Sequence, residues 1–328
     1  MTGILDSFGR SINYLRISVT DRCNLRCLYC MPPEGLRQMP QGEILSYEEI
    51  RTVVQAAAEL GINRIRLTGG EPLVRAELPK LIKMISRIEG IEELSLTTNG
   101  TFLKKSALEL RQAGLSRVNV SLDTLRADRF RHITRVGELK DVLEGIEAAK
   151  KAGFDPVKIN TVVVRGINDD EILDFARMTN SEGWHVRFIE LMPFGDVAQS
   201  VPSVELRQRI ELVGKLEPCP DFNGIVSNGP AAYYRFDGAK GVIGLISPLS
   251  EPSFCSRCNR LRLTPDGKLR PCLLAEEEVD LKMPLRNRVP LAQVKRLILK
   301  AVASKPERHH LKRGNVRLTN RKMPAIGG

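Results

Sequence analysis

Residues 14–30 read YLRISVTDRCNLRCLYC. The first six, 14–19, form a short run rich in β-branched and aromatic side chains and predict a strand. That strand ends just before Cys23, Cys27 and Cys30, whose CxxxCxxC spacing brings three thiolates onto one loop and supplies no fourth. Structural zinc takes four closed ligands, usually from CxxC pairs, and iron–sulfur clusters are the other common destination of clustered thiolates. Three ligands leave one corner open to a group that is not protein, which is a place for chemistry. A zinc site completed by a distant residue is the alternative; a disulfide would use two cysteines and strand the third.

Outward from this stretch, strands alternate with amphipathic segments. Ser46 and Glu49 form a capping box for a helix over 47–60, closed by Gly61. A strand at Arg64–Thr68, a helix at 77–87, a strand at 92–98, a helix at 103–113, a strand at Arg117–Ser121 and a helix at 139–152 follow. Strands at 157–164 and His185–Glu190 flank a helix at 170–182. This rhythm means βαβ units and a parallel sheet. Six units fall short of the eight in a closed barrel, so the expected fold is α/β, an open, partial (βα)6 barrel. Beyond about Val226 short glycine-punctuated strands take over, with a hairpin from 260–264 to 269–271. The expected division is a core over 1–225 and an extension over 226–328.

With 328 residues, 42% hydrophobic and 27% charged, the chain can bury a sizeable core. Its seven cysteines fall in two patches apart from Cys219, which speaks for a cytoplasmic metalloprotein over a secreted disulfide scaffold. The start lacks the charged-then-apolar pattern of a cleavable signal, and no apolar run approaches the roughly 18 residues of a membrane span. The net charge of +11 is uneven: from Leu281 onward 13 Lys and Arg face one acid, while the rest holds 37 basic and 38 acidic residues. Such a tail suits nucleic acid or a small polyanion. Nothing in it interleaves aromatics with charge, as single-strand binders tend to do.

The second strand runs directly into Thr68-Gly69-Gly70-Glu71-Pro72. Two glycines there let backbone approach a ligand closely, and Glu71 offers an acceptor for an amine. An ordinary βα turn is the plain alternative, weakened by the cysteine loop one strand away. Cys255, Cys258 and Cys272 make a second patch, CxxC followed by a cysteine across the hairpin. Three ligands again suggest an open cluster, against a zinc knuckle completed by Cys219, His309 or His310. Two such clusters in one barrel would leave a pocket between them.

CNLRCLYC after one strand and GGEP after the next resemble the radical S-adenosylmethionine (SAM) superfamily. The resemblance implies that Cys23, Cys27 and Cys30 hold a 4Fe–4S cluster whose open iron is chelated by SAM. It also implies Tyr29 and Met192 near the adenine, Gly70 near the methionine amine and Ser121 near the ribose; a core methionine and a strand-end hydroxyl are the ordinary readings of Met192 and Ser121. Over essentially the entire chain, SVTDRCNLRCLYCMP, TGGEPLVR, TTNG, NVSLD, RFIELMPFG, FCSRCNRLRLTPDGKLRPCL and Gly327-Gly328 are similar to the GTP 3′,8-cyclase family. That similarity implies a second 4Fe–4S cluster on Cys255, Cys258 and Cys272, with the guanine of GTP at its open iron. It implies GTP contacts from Arg16, Arg66, Thr97, Lys158, Arg187, Arg260 and Arg262, and a Gly327-Gly328 end that enters the site and helps position Arg16.

The implied activity is that of a lyase converting GTP to (8S)-3′,8-cyclo-7,8-dihydroguanosine 5′-triphosphate, early in molybdenum cofactor biosynthesis. The implied partners are an external one-electron donor and the next enzyme, cyclic pyranopterin monophosphate synthase, with no membrane and no nucleic acid; a homodimer is compatible. Charge supports the substrate: a nucleoside triphosphate carries about four negative charges and needs several guanidinium or ammonium groups. The six cations Arg16, Arg66, Lys158, Arg187, Arg260 and Arg262 are expected to converge at one barrel mouth. The rivals are another radical SAM enzyme with an auxiliary cluster, acting on peptide or tRNA, and a zinc-stabilised nucleic-acid module built on the basic tail.

Overall fold

In a strand, successive side chains point to opposite faces, so a polar–apolar alternation fixes which way each face turns. The computed structural model describes residues 3–192, 200–219, 221–222, 225–226, 230–309 and 321–327. Six parallel strands lead the fold: β1 Tyr14–Ser18, β2 Arg64–Thr68, β3 Glu93–Thr98, β4 Arg117–Ser121, β5 Lys158–Val163 and β6 His185–Glu190. Leu15, Ile17, Ile65, Leu67, Val118 and Phe188 are buried within the hydrophobic core. Arg16, Arg66, Thr97, Ser121, Asn160 and Arg187, of the other parity, line a cavity on the inner face. Parallel sheets covered on both faces read as near-continuous apolar runs, so a polar inner face marks a barrel with room for a ligand.

Helices α1 Tyr47–Glu59, α2 Leu78–Ile85, α3 Leu103–Gln112, α4 Ala127–Thr134, α5 Leu139–Lys151, α6 Ile172–Ser181 and α7 Ser203–Ile210 follow the strands in turn. The expected capping box of α1 is present: the Glu49 amide donates to Ser46 Oγ at 3.1 Å, and the Ser46 amide donates to Glu49 Oε2 at 2.7 Å. Helix α4 was not anticipated. Helix α6 starts later than expected because a 3₁₀ turn, Asp169–Glu171, precedes it.

The extension does not form a separate layer. Its strands β8 Ala232–Phe236, β9 Ile243–Ile246, β10 Arg260–Leu263, β11 Lys268–Arg270 and β12 Val279–Asp280, with β7 Leu216–Pro218 just before them, continue the same sheet, in the order β12-β11-β10-β1-β2-β3-β4-β5-β6-β9-β8-β7. One sheet therefore runs through the expected boundary at residue 225. Strand β9 pairs parallel with β6 and β10 pairs parallel with β1, while β11 returns antiparallel with Arg270 opposite Arg262. The chain from β9 must therefore travel back to the opposite end of the sheet before β10 begins. Helices α8 Lys282–Arg286 and α9 Leu291–Ala303 pack on α1. Among the described residues no helix is long and apolar enough to cross a membrane.

Helix α5 lies so close to the β3–α3 turn that a Cβ on Gly145 would stand 2.4 Å from the Gly100 carbonyl oxygen. Backbone cannot yield there as a side chain would. Gly145→Ala should destabilise the fold by about 1–3 kcal/mol, seen as a lower urea midpoint at unchanged m-value.

Candidate active site

The loop after β1 is held from three sides. Arg26 and Leu28 amides donate to the Thr134 and Ile133 carbonyls at the C-terminal end of α4, both at 3.0 Å. Arg135 Nη1 reaches back to the Arg26 and Met31 carbonyls at 2.8 and 2.9 Å. From the β2 turn, the Gly70 and Glu71 amides donate to the Thr20 and Arg22 carbonyls, both at 2.7 Å. A Cβ would stand 2.7 Å from the Thr20 oxygen at Gly69 and 2.3 Å from the Arg22 oxygen at Gly70. The two glycines thus admit the chain's own cysteine loop. Glu71 departs from its expected role: its oxygens accept from the Leu73 and Asn99 amides and from Thr98 Oγ1 at 2.6–3.0 Å, so it ties the β2 and β3 turns together. Burial raises its carboxyl to about 7 despite those donors.

Cys23, Cys27 and Cys30 are free thiols lining one cavity of about 310 Å³. Burial pushes Cys23 up to about 11, and burial with Cys23 and Asp123 nearby pushes Cys30 to about 12. Tyr29 donates to Asp123, whose other oxygen accepts from the Val162 amide at 2.8 Å. Gly70, Ser121 and Met192 line the same end of the cavity.

Cys255, Cys258 and Cys272 line the same cavity from the other end of the strands, where β10 begins and β11 finishes. Lys305 knits that end, donating to the Arg260 and Pro271 carbonyls at 2.8 and 2.6 Å. Burial would raise the Cys258 thiol, but Lys305 and Arg260 outweigh it and bring it to about 6. Cys219 sits beside edge strand β7, its amide on the Tyr233 carbonyl, away from the cavity wall. His309 does line the cavity, with Nε2 on the Pro248 carbonyl at 2.7 Å; His310 lies outside the described residues.

The cations do not gather at a mouth, because β-register puts them along the interior wall. One row joins Arg262, Arg16, Arg66 and Ser95 across β10, β1, β2 and β3. Burial, then Arg262 and Arg66, pulls Arg16 well below the usual guanidinium range, and burial with Arg260 lowers Arg262 to about 10. Arg66 lies over the Tyr14 ring at 5.3 Å and donates to Ser95 Oγ at 3.2 Å. Arg187 Nη2 donates to Asn119 Oδ1 at 2.7 Å, and Arg262 Nη1 donates to the Gly327 carbonyl at 2.5 Å. Gly328 lies outside the described residues. Lys158 is buried at the first position of β5, opposite Asn119 of β4 and His185 of β6, and burial with Arg187 and Arg66 nearby pulls its ammonium well below the usual range.

Strand parity would have found further wall residues that motif reading passed over, namely Tyr14, Asn160 and Ile189. Tyr14 Oη, Thr97 Oγ1, Asn160 Oδ1 and Arg187 Nε are buried without a hydrogen-bond partner among the described residues. Such atoms are costly unless a polar ligand meets them. Among the described residues, no three His, Cys, Asp or Glu groups could hold a single metal ion; ligands of a four-iron cluster each sit on a different iron and need not converge on one point. Three thiols at each end are a donor set of the kind that iron–sulfur clusters take, and the arginine wall is one that an anion would meet.

Both ends of this geometry have relatives. The Radical SAM superfamily profile matches residues 17–179, and the Molybdenum Cofactor Synthesis C profile matches residues 184–311. Crystalline Streptococcus suis SuiB shares the fold at a TM-score of 0.55, with 15% identity over 80% of this chain and 60% of its own. The chain is thus a radical SAM protein, a class that uses an iron–sulfur cluster and SAM. A GTP 3′,8-cyclase of Moorella thermoacetica is 53% identical over 98% of this chain and 99% of its own, and one of Pelotomaculum thermopropionicum 52% over 98% and 99%. The chain belongs to the GTP 3′,8-cyclase family.

His185 opens β6 opposite Lys158. Burial, then Lys158 and Arg187, lowers its imidazole from 6.5 to about 3, so the cation wall gains no further charge. The unfolded chain takes up this proton below pH 6.5 and the folded chain does not, so stability falls as pH drops from about 6.5 towards 3. His185→Gln should flatten that fall by up to about 1.4 kcal/mol per pH unit, measured as urea midpoints at pH 6.5 and 5.

Proposed function

We propose that the cavity binds GTP, with its triphosphate on the Arg262–Arg16–Arg66 row, and that the enzyme converts it to (8S)-3′,8-cyclo-7,8-dihydroguanosine 5′-triphosphate for molybdenum cofactor biosynthesis. The observation that carries this reading is that row: three guanidiniums in one register repel one another, and an anion between them relieves that repulsion. The neighbouring orphan atoms of Tyr14, Thr97, Asn160 and Arg187 supply donors and acceptors for a ribose and base. Lys158, of the same strand parity as Asn160 and close to Arg187 and Arg66, adds charge to the same field.

Cys23, Cys27 and Cys30 would hold one 4Fe–4S cluster and Cys255, Cys258 and Cys272 a second. With SAM bound and two electrons from an external donor, one to cleave SAM and one taken up with a proton after ring closure, the clusters would supply the one-electron chemistry that removes the C3′ hydrogen and lets C3′ bond to C8. The chain's own part is placement. Tyr29, steadied by Asp123, and Gly70, Ser121 and Met192 suit SAM at the first end; Cys255, Cys258 and Cys272, with Lys305 and Arg260 beside Cys258, suit metal and base at the second. Arg260 and Arg187 would hold the substrate between, and the Gly327 carbonyl would orient Arg262 towards phosphate. Product would pass to cyclic pyranopterin monophosphate synthase.

Anaerobically reconstituted enzyme should hold about eight irons per chain and turn GTP, with SAM and reductant, into an isomer-mass product retaining the triphosphate. Cys23→Ala should abolish SAM cleavage; Cys258→Ala should halve the iron and spare SAM cleavage. Four irons with one zinc, or no cyclised product from GTP, would sink the respective claim.

A further inference from the structure

Arg321 stands outside the steps just described, yet its guanidinium makes four hydrogen bonds to two carboxylates. Nη1 and Nη2 donate to Asp266 at 3.0 and 2.9 Å, and Nε and Nη2 donate to Glu278 at 2.7 and 2.9 Å. Asp266 lies in the turn between β10 and β11, and Glu278 immediately precedes β12 and also pairs with Arg270 of β11. Against burial, which would raise it, Arg321 holds Asp266 below the usual carboxylate range.

A few residues on, the same segment enters the cavity. Ile326 is buried, and Gly327 takes a φ of +81° with its carbonyl on Arg262. A Cβ at Gly327 would stand 2.9 Å from Ser18 Cβ and 3.0 Å from Thr68 Cγ2, so the segment fills its slot. Between the anchors, the Ala325 amide donates to the Lys322 carbonyl, and the Ile326 and Gly327 amides donate to the Met323 carbonyl, at 3.0–3.1 Å. Residues 321–327 therefore form a short, internally bonded arm fixed twice to the β10–β11 hairpin, once at its turn and once at Arg262.

We propose that the Arg321–Asp266–Glu278 clamp is a positioning device: it sets how far the arm reaches into the cavity and so where the Arg262 guanidinium points. This rests on the cyclase reading for its consequence, though not for its geometry. A planar fork bridging two carboxylates fixes orientation as well as distance, which an ammonium does not. The clamp is also built on the hairpin that carries Arg260, Arg262 and Cys272, so arm and arginine share one frame.

Hydrogen–deuterium exchange on the iron- and SAM-loaded enzyme reads the arm directly, and GTP cyclisation reads its effect. Arg321→Ala should speed exchange across residues 321–327 by about tenfold and lower kcat for cyclisation by a similar factor, leaving SAM affinity unchanged. Arg321→Lys should fall between. In enzyme lacking Gly327 and Gly328, Arg321→Ala should leave GTP affinity where truncation put it, because the clamp then has nothing to position. Unchanged exchange in Arg321→Ala overturns the proposal, and so does a further loss of GTP affinity in the truncated enzyme. Should Arg321→Ala lose its iron, Arg321→Lys carries the same comparison. If the wild-type enzyme makes no cyclised product, the cyclase reading fails while exchange still decides the clamp.

Discussion

Like charges held in register are the constraint around which this barrel is organised. Parallel pairing sets Arg262, Arg16 and Arg66 on adjacent strands at one level, and unit charges at strand spacing repel by roughly 3 kcal/mol per pair at an effective dielectric near 20. The protein answers this with dipoles and ring faces rather than carboxylates: Ser95 and Tyr14 for Arg66, Asn119 for Arg187, the Gly327 carbonyl for Arg262. His185, close to Lys158, stays neutral. A carboxylate in the row would stabilise the empty protein and remove its affinity for phosphate. The stability forgone there is supplied by the apolar parity of the same strands, packed beneath the helices.

The two cysteine triplets meet this field unequally. Burial dominates at the first and raises all three of its thiols. At the second, burial raises Cys255 as well, whereas Lys305 and Arg260 bring Cys258 down to about 6. The β2 glycines matter here in a way distinct from their usual freedom of conformation. Their φ angles are ordinary; what they provide is absence of a side chain where the Thr20 and Arg22 carbonyls press in.

Much of this was legible in the chain. The βα rhythm, the capping box at Ser46 and the hairpin at Arg260 follow from local rules, and the cysteine spacing marks both patches that line the cavity. What local rules could not reach was decided by pairing partners. Whether the strands after Glu190 form a new layer or lengthen the old sheet depends on which edge they find, and nothing in IGLI or RLRL names that edge. Hence the sequence marks where the rhythm changes, near Val226, without saying which strands the later ones join. The cations were placed at a mouth because motifs cluster at strand ends; counting parity inward from Tyr14 places them along the wall and adds Asn160.

Strand length has a consequence for what this site can accept. The cysteine loops leave β1 and enter β10 at opposite ends of paired strands, with Tyr14 level with Arg260 and Ser18 level with Thr68. Four residues at about 3.3 Å each put roughly 13 Å between those levels. Surface loops can gain or lose residues without disturbing that span, whereas adding one residue to β1 would turn its arginine to the helices and break step with both neighbours. The gap between the two metal ends is therefore a gauge cut into the sheet itself, and a longer or shorter guest would require every strand of the barrel to change together.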